Sequence, residues 1–279
     1  MMTLDRKPMR SFFALLAVAM ASAFMTDSSV RSPATGGKCT LIPIPLSALH
    51  HAIGGAPRIR NKDGTSKNWS GYAVQTNLKS PLPDSVSNVK GTWSVPAVTT
   101  DSPATTYSSI WIGIDGYSDS TVEQLGTEQD WTSSGPVYYA WVEMYPKAAY
   151  LIHGFPVVAG DEISAEVRYV GNGQFTLSMN NITSGASYST TLRAKNAKRQ
   201  SAEWIVEAPS SKGVLPLADL GTVSFTNCSA TVNGHTGSVS NSAWQKDAIT
   251  MTTANGVVKA RPSALSPDGS SFSVTWYHE

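Results

Sequence analysis

Between Ser109 and Pro146 the chain alternates apolar and polar side chains in three successive runs. Successive side chains on a strand leave opposite faces, so each run splits into two columns. Ile110, Ile112 and Ile114 share one face of the first run, leaving Trp111, Gly113 and Asp115 opposite. Val122, Gln124, Gly126 and Glu128 fall together in the second run, and in the third Ala140, Val142 and Met144 oppose Trp141, Glu143 and Tyr145. One set is oily, while the other mixes aromatic rings with carboxylates and an amide.

The same period predicts strands over Asn68–Val74, Val86–Val95, Glu162–Val170, Gln174–Ile182, Ser201–Ala208, Thr222–Asn227, Ala248–Thr253, Val257–Arg261 and Ser271–Tyr277. Gly171-Asn172-Gly173 is a hairpin signal joining two of them. Tyr188–Gln200 reads as a polar strand and connection. Ala202, Trp204 and Val206 oppose Ser201, Glu203, Ile205 and Glu207. No long stretch keeps helical periodicity, and short strands separated by turn residues predict an all-β sandwich with strongly bent sheets.

Composition adds an address and a leader. Arg6, Lys7 and Arg10 precede an apolar run, Ser11–Phe24, and Ala21-Ser22-Ala23 offers a small-x-small cleavage pattern, so residues 1–23 read as a signal peptide. The run is shorter than the roughly 20 residues a membrane span needs. From Phe24 to Lys67 Pro, Gly and Ser dominate, and Arg31, Lys38, Arg58, Arg60, Lys62 and Lys67 face only Asp27 and Asp63. The segment from Asn68 onward is acidic. A basic leader on an acidic domain suggests an electrostatic lid that acid weakens; a featureless linker has the same composition. Cys39 falls in the leader and Cys228 in the later domain, so a processed chain keeps one thiol.

Charge then narrows the chemistry. No Lys or Arg occurs between Lys90 and Lys147, whereas Asp101, Asp115, Asp119, Glu123, Glu128, Asp130 and Glu143 lie there. After the leader His153, His235 and His278 stand apart, which excludes a clustered zinc site, and G-x-S-x-G, phosphate-loop and dinucleotide patterns are absent. The acidic segment carries no basic stripe for nucleic acid. Carboxylates beside aromatic walls leave three readings open. They are a two-carboxylate glycosidase, an acid peptidase with a water-activating carboxyl group, and a carbohydrate-binding sandwich without chemistry.

Asn68-Trp69-Ser70-Gly71, Trp111-Ile112-Gly113-Ile114-Asp115-Gly116, Gln124-x-Gly126, Tyr139-Ala140-Trp141-Val142-Glu143-Met144-Tyr145-Pro146 and Ser201-Ala202-Glu203-Trp204-Ile205-Val206-Glu207 together resemble the glutamic peptidases, the eqolisin or G1 family. The single cysteine after the leader is more like bacterial members than disulfide-rich fungal ones. The resemblance implies a concanavalin-like β-sandwich of two curved antiparallel, seven-stranded sheets, with the substrate groove on a concave face. It implies a signal peptide (1–23), a propeptide (24–67) and a catalytic domain (68–279). The expected activity is that of a secreted acid endopeptidase that cleaves protein or peptide substrates and needs neither metal nor cofactor. Its own propeptide is the expected inhibitor; it is expected to be monomeric, with no nucleic-acid partner and no membrane contact after signal cleavage.

By position the catalytic pair is Gln124 and Glu203. Glu203 takes a proton from the attacking water and returns it to the departing amine, while the Gln124 amide holds the oxyanion. Ionisation in acid calls for hydrogen-bond donors around Glu203. Trp69, Trp111, Asp115, Trp141, Glu143 and Tyr145 are expected along the groove. Asp115 is expected to orient Gln124, Trp69, Trp141 and Tyr145 to wall subsites, and Glu143 to touch the peptide. Glu207 matches a family acid at a strand end, and Glu128 stands where the family can have Asp.

Overall fold

In the computed structural model residues 39–44, 57–61, 64–100, 104–210 and 213–279 are described, all within the unit Gly36–Glu279. The expected signal peptide and part of the expected propeptide lie outside the described residues.

The strands are β1 (Thr40–Pro43), β2 (Trp69–Gln75), β3 (Val86–Ser94), β4 (Ser109–Ile114), β5 (Val122–Thr132), β6 (Gly135–Tyr145), β7 (Tyr150–His153), β8 (Glu162–Gly171) and β9 (Gln174–Asn181). They continue with β10 (Ser187–Arg193), β11 (Ser201–Glu207), β12 (Thr222–Val232), β13 (His235–Ser238), β14 (Gln245–Ile249), β15 (Met251–Thr252), β16 (Val258–Pro262) and β17 (Phe272–Trp276). The described residues contain no α-helix, and none long and apolar enough to cross a membrane.

Two antiparallel sheets form. One has eight strands in the order β1-β7-β6-β5-β4-β11-β2-β14. The other has nine, β10-β9-β8-β3-β12-β17-β16-β15, with β13 paired to β12 beside that path. The expected count of seven per sheet is therefore too low. One extra strand, β1, comes from the leader and adds to the edge at β7; another, β13, is the return arm of a hairpin whose Asn233 and Gly234 both take positive φ.

The alternation along β4, β5, β6 and β11 sorts side chains as two faces require. Ile110, Ile112, Ile114, Leu125, Val142, Ala202, Trp204 and Val206 join Trp93, Phe225 and Phe272 in one apolar cluster between the sheets. Polar tips in this layer are paired: Trp93 Nε1 donates to Thr127 at 3.0 Å and Trp204 Nε1 to the Lys90 carbonyl at 2.6 Å. Gly91 makes room for Trp204, since a Cβ there would stand 2.8 Å from its ring. The opposite face of the eight-stranded sheet has its own cluster, containing Trp69, Ala73, Trp111, Val122, Trp141 and Ile205.

Candidate active site

The pairing register of the eight-stranded sheet lines up the residues singled out from the sequence. Glu203 on β11 stands opposite Ala73 on β2 and Gly113 on β4, Gly113 stands opposite Gln124 on β5, and Gln124 opposite Glu143 on β6. One row on the outer face therefore reads Ala73, Glu203, Gly113, Gln124, Glu143. Glu203 and Gln124 are two strands apart, about 10 Å between backbones, with a residue that has no side chain between them. The next row holds Gly71, Ile205, Trp111, Gly126 and Trp141. A Cβ on Gly126 would fall 2.5 Å from that of Trp111, so glycine lets β5 approach β4 closely there.

Hydrogen bonding divides the row. Gln124 Nε2 donates to Glu143 Oε2 at 2.8 Å, which fixes the amide with its nitrogen toward β6 and leaves Oε1 without a partner. Glu203 is fully buried, and among the described residues neither carboxyl oxygen has a partner at good hydrogen-bond geometry. Burial pushes its carboxyl well above the usual range, the Ser201 hydroxyl works the other way, and the charges of Asp115, Asp119 and Glu123 add to the rise. Glu143 is raised by burial and then by Glu207, with Gln124 opposing. Apart from the Ser201 hydroxyl, the described residues do not supply the donors expected around Glu203; in this covered arrangement the protonated acid is favoured.

Asp115 holds a different position from the one expected. It sits just past β4 with φ of 74°, and its carboxylate accepts the backbone N–H groups of Arg199 at 2.6 Å and Gln200 at 2.7 Å. The hydrogen bond that orients Gln124 belongs to Glu143 instead, because Glu143 faces Gln124 directly across the β5–β6 ladder. Asp115 ties the segment before β11 to the end of β4. Burial and the neighbouring Asp119 raise its pKa to about 7 against the backbone donors.

Trp69 and Trp111 are fully buried and meet edge to face, with centroids 5.0 Å apart and planes at 77°. Trp141 is buried in the same cluster, and Tyr145 packs half-buried at its margin opposite Val122. Farther along β5 Ser109 Oγ donates to Glu128 Oε2 at 2.7 Å, and Glu128 and Asp130 are both raised, chiefly by burial. Reasoning from the sequence missed Gly113, the Glu143–Gln124 bond and the burial of Glu207. The first of these had a visible signal, a glycine in the aromatic and acidic column of β4.

Residues from the leader lie against this face. β1 extends the sheet edge, Ile44 N donates to the Ala149 carbonyl at 3.1 Å, and the Ile44 side chain joins the cluster with Trp69, Trp111 and Trp141. Arg58 N donates to the Gly116 carbonyl at 2.9 Å; its guanidinium lies 3.2 Å from Asp247 and 4.6 Å above the Tyr117 ring. Tyr117 OH donates to the same Asp247 oxygen at 2.7 Å, and Arg60 stands 5.4 Å from the Tyr117 centroid. Ile59 N donates to Asn68 Oδ1 at 2.8 Å. Cys39 and Cys228 are free, so no disulfide joins leader and domain.

Two cavities of about 350 and 330 Å³ lie on the nine-stranded sheet, both bordered by Lys90 and Glu166, away from Glu203 and Gln124. Neither is walled by Trp.

Residues 67–276 match the profile of the family described as Peptidase A4. Aspergillopepsin-2 of Aspergillus niger is 28% identical over 194 residues, 61% of this chain and 66% of that protein, just under two thirds of its length. Among solved structures, scytalido-glutamic peptidase with a transition state analog inhibitor superposes with a TM-score of 0.62 at 25% identity, covering 76% of this chain and 98% of that one. Aspergilloglutamic peptidase from Aspergillus niger superposes with a TM-score of 0.53 at 29% identity, covering 62% and 99%.

Proposed function

Because the chain belongs to the Peptidase A4 family, the glutamic peptidases, we propose that it is a secreted, acid-active endopeptidase in which Glu203 activates water and Gln124 holds the oxyanion. The observation that carries this is the row Glu203–Gly113–Gln124–Glu143, which aims a carboxyl group and a fixed amide across a gap without a side chain. Glutamine has two amide protons. With one engaged by Glu143, the other serves the oxygen that gains charge when water adds to the scissile carbonyl. That donor needs no ionisation, and Glu143 accepts from it whether protonated or not.

Glu203 must be ionised to take the water's proton, whereas its buried state favours the neutral acid. The two demands belong to two states of the molecule. With the face covered the base is protonated; with the face open, water solvates the carboxylate and returns its pKa toward the ordinary range. The leader is a suitable cover, since Ile44 fills the aromatic cluster and Arg58 is held by Asp247 and Tyr117. The chain is then a zymogen whose leader must leave this face before Glu203 can ionise. Residues 1–23, ahead of the leader, bear the export signal pattern, which supports secretion.

Digestion of casein at about pH 3–4, within the carboxyl titration range, tests the assignment. Glu203→Gln and Gln124→Ala are each expected to abolish cleavage while keeping the wild-type circular dichroism spectrum. Full proteolysis by either folded variant, or turnover of oligosaccharides in place of casein, overturns it.

A further inference from the structure

Resting on the peptidase reading above, we infer that Glu207 is a positioning residue of the reaction centre, acting through the indole of Trp111. Glu207 ends β11 on the same face as Glu203. A strand-end carboxylate ordinarily faces water, yet this one is fully buried and holds two donors. Its Oε2 accepts Trp111 Nε1 at 2.8 Å and its Oε1 accepts Asn68 Nδ2 at 3.2 Å. A buried carboxyl group with two fixed donors sets the rotation of the ring it holds.

The orientation that follows matters because of where the rest of the ring goes. A Cβ built on Gly113 would stand 3.0 Å from Cζ3 of Trp111 and 3.1 Å from Cβ of Gln124. The carbon edge of the indole thus lies over Gly113, the position between the two catalytic side chains. Trp69 closes its flank edge to face. A carbon edge offers the reacting oxygens no hydrogen bond in competition with Gln124, and it excludes a second water from the gap. An indole released from Glu207 turns away from this position, and a displacement of about 1 Å at a reacting centre costs on the order of a hundredfold in rate.

The test is a double-mutant cycle on the full chain, assayed in acid with a peptide substrate. Glu207→Leu and Trp111→Phe are each expected to lower kcat about tenfold or more while KM changes less than about threefold. The double variant is expected to be no worse than the poorer single one, since both remove one hydrogen bond. Multiplying effects, or a folded Glu207→Leu with wild-type kcat, overturn the inference. A readout independent of activity is the ¹⁵N-indole resonance of Trp111, assigned by its loss in Trp111→Phe; it is expected to shift in Glu207→Leu, and an unmoved resonance counts against the inference. If Glu207→Leu does not fold, Gly113→Ala decides. Its backbone lies outside the positive-φ region, so alanine is conformationally admissible, and the ring edge, Gln124 Cβ and the Glu123 carbonyl must yield by a few tenths of an ångström. It is expected to lose kcat with its melting temperature nearly kept; full activity overturns the inference. Glu203→Gln, run alongside, separates this outcome from failure of the peptidase reading itself.

Discussion

Stability is expected to fall as pH rises toward neutrality, the reverse of the usual behaviour of carboxylate-rich proteins. Asp115, Glu123, Glu128, Asp130, Glu143 and Glu203 all have pKa values displaced upward, and burial is the first cause in each. An acid with a raised folded-state pKa keeps its proton where the unfolded chain releases it. Its contribution is therefore complete below the unfolded value and is lost as pH climbs through the folded one. For Asp115, moved from 3.8 to about 7, the loss amounts to about 4 kcal/mol at 1.36 kcal/mol per unit. A domain's whole stability is roughly 5–15 kcal/mol, so this one group accounts for a large share and the remaining five act in the same direction. Lys259, lowered to about 8, changes protonation only above this window and does not compete. Urea unfolding of the full chain at about pH 4, 5, 6, 7 and 8, carried out in Glu203→Gln to prevent self-digestion, measures the effect. The midpoint is expected to drop steadily above about pH 5. Glu123→Gln, which keeps the shape of a buried acid raised chiefly by burial and then by Asp115, is expected to flatten part of the decline. A midpoint that stays level or climbs from pH 4 to 8 refutes the reasoning.

Glu143→Leu is expected to reduce kcat by about a hundredfold, in line with the loss of an oxyanion donor's orientation, while Glu143→Gln, which retains an acceptor facing Gln124, keeps most of the activity; equal losses in both would contradict the orienting role. Arg58→Ala removes the ion pair with Asp247 and the contact with Tyr117, so leader cleavage, followed by gel mobility over time, should begin at higher pH than in the unaltered chain. Reductant should leave the unfolding midpoint unchanged, and alkylation of the denatured protein should report two thiols, because Cys39 and Cys228 are unpaired; a mass two hydrogens lower would reveal a bridge.

The columns of β4, β5, β6 and β11 were legible because one face meets the apolar layer between the sheets while the other mixes aromatic rings with carboxylates and an amide, and period-two alternation records that directly. Gln124 and Glu203 could be picked out from motifs, but which side chain holds the Gln124 amide could not. That depends on the register between β5 and β6, which places Glu143 opposite Gln124, and on the turn after β4, which engages Asp115 with backbone donors instead. The burial of Glu207 was not legible from its place at a strand end, because it involves Trp111 and Asn68, both remote in sequence. The strands β1, β7 and β13 escaped notice for a simpler reason. Each has only four residues, too few to establish a period.

The register that assembles the row also sets when it can form. β11 enters the sheet between β4 and β2, strands far earlier in the chain, and it pairs with both. Contacts of such sequence separation carry the largest loop-closure cost and are slow to form in folding. Gly113 and Gln124 sit on neighbouring hairpin-like strands and can meet early, whereas Glu203 joins them only when the last central strand is docked. On the proposed assignment, a chain still folding carries the amide half of the pair without its base, and proteolytic competence becomes a late property of the completed sheet.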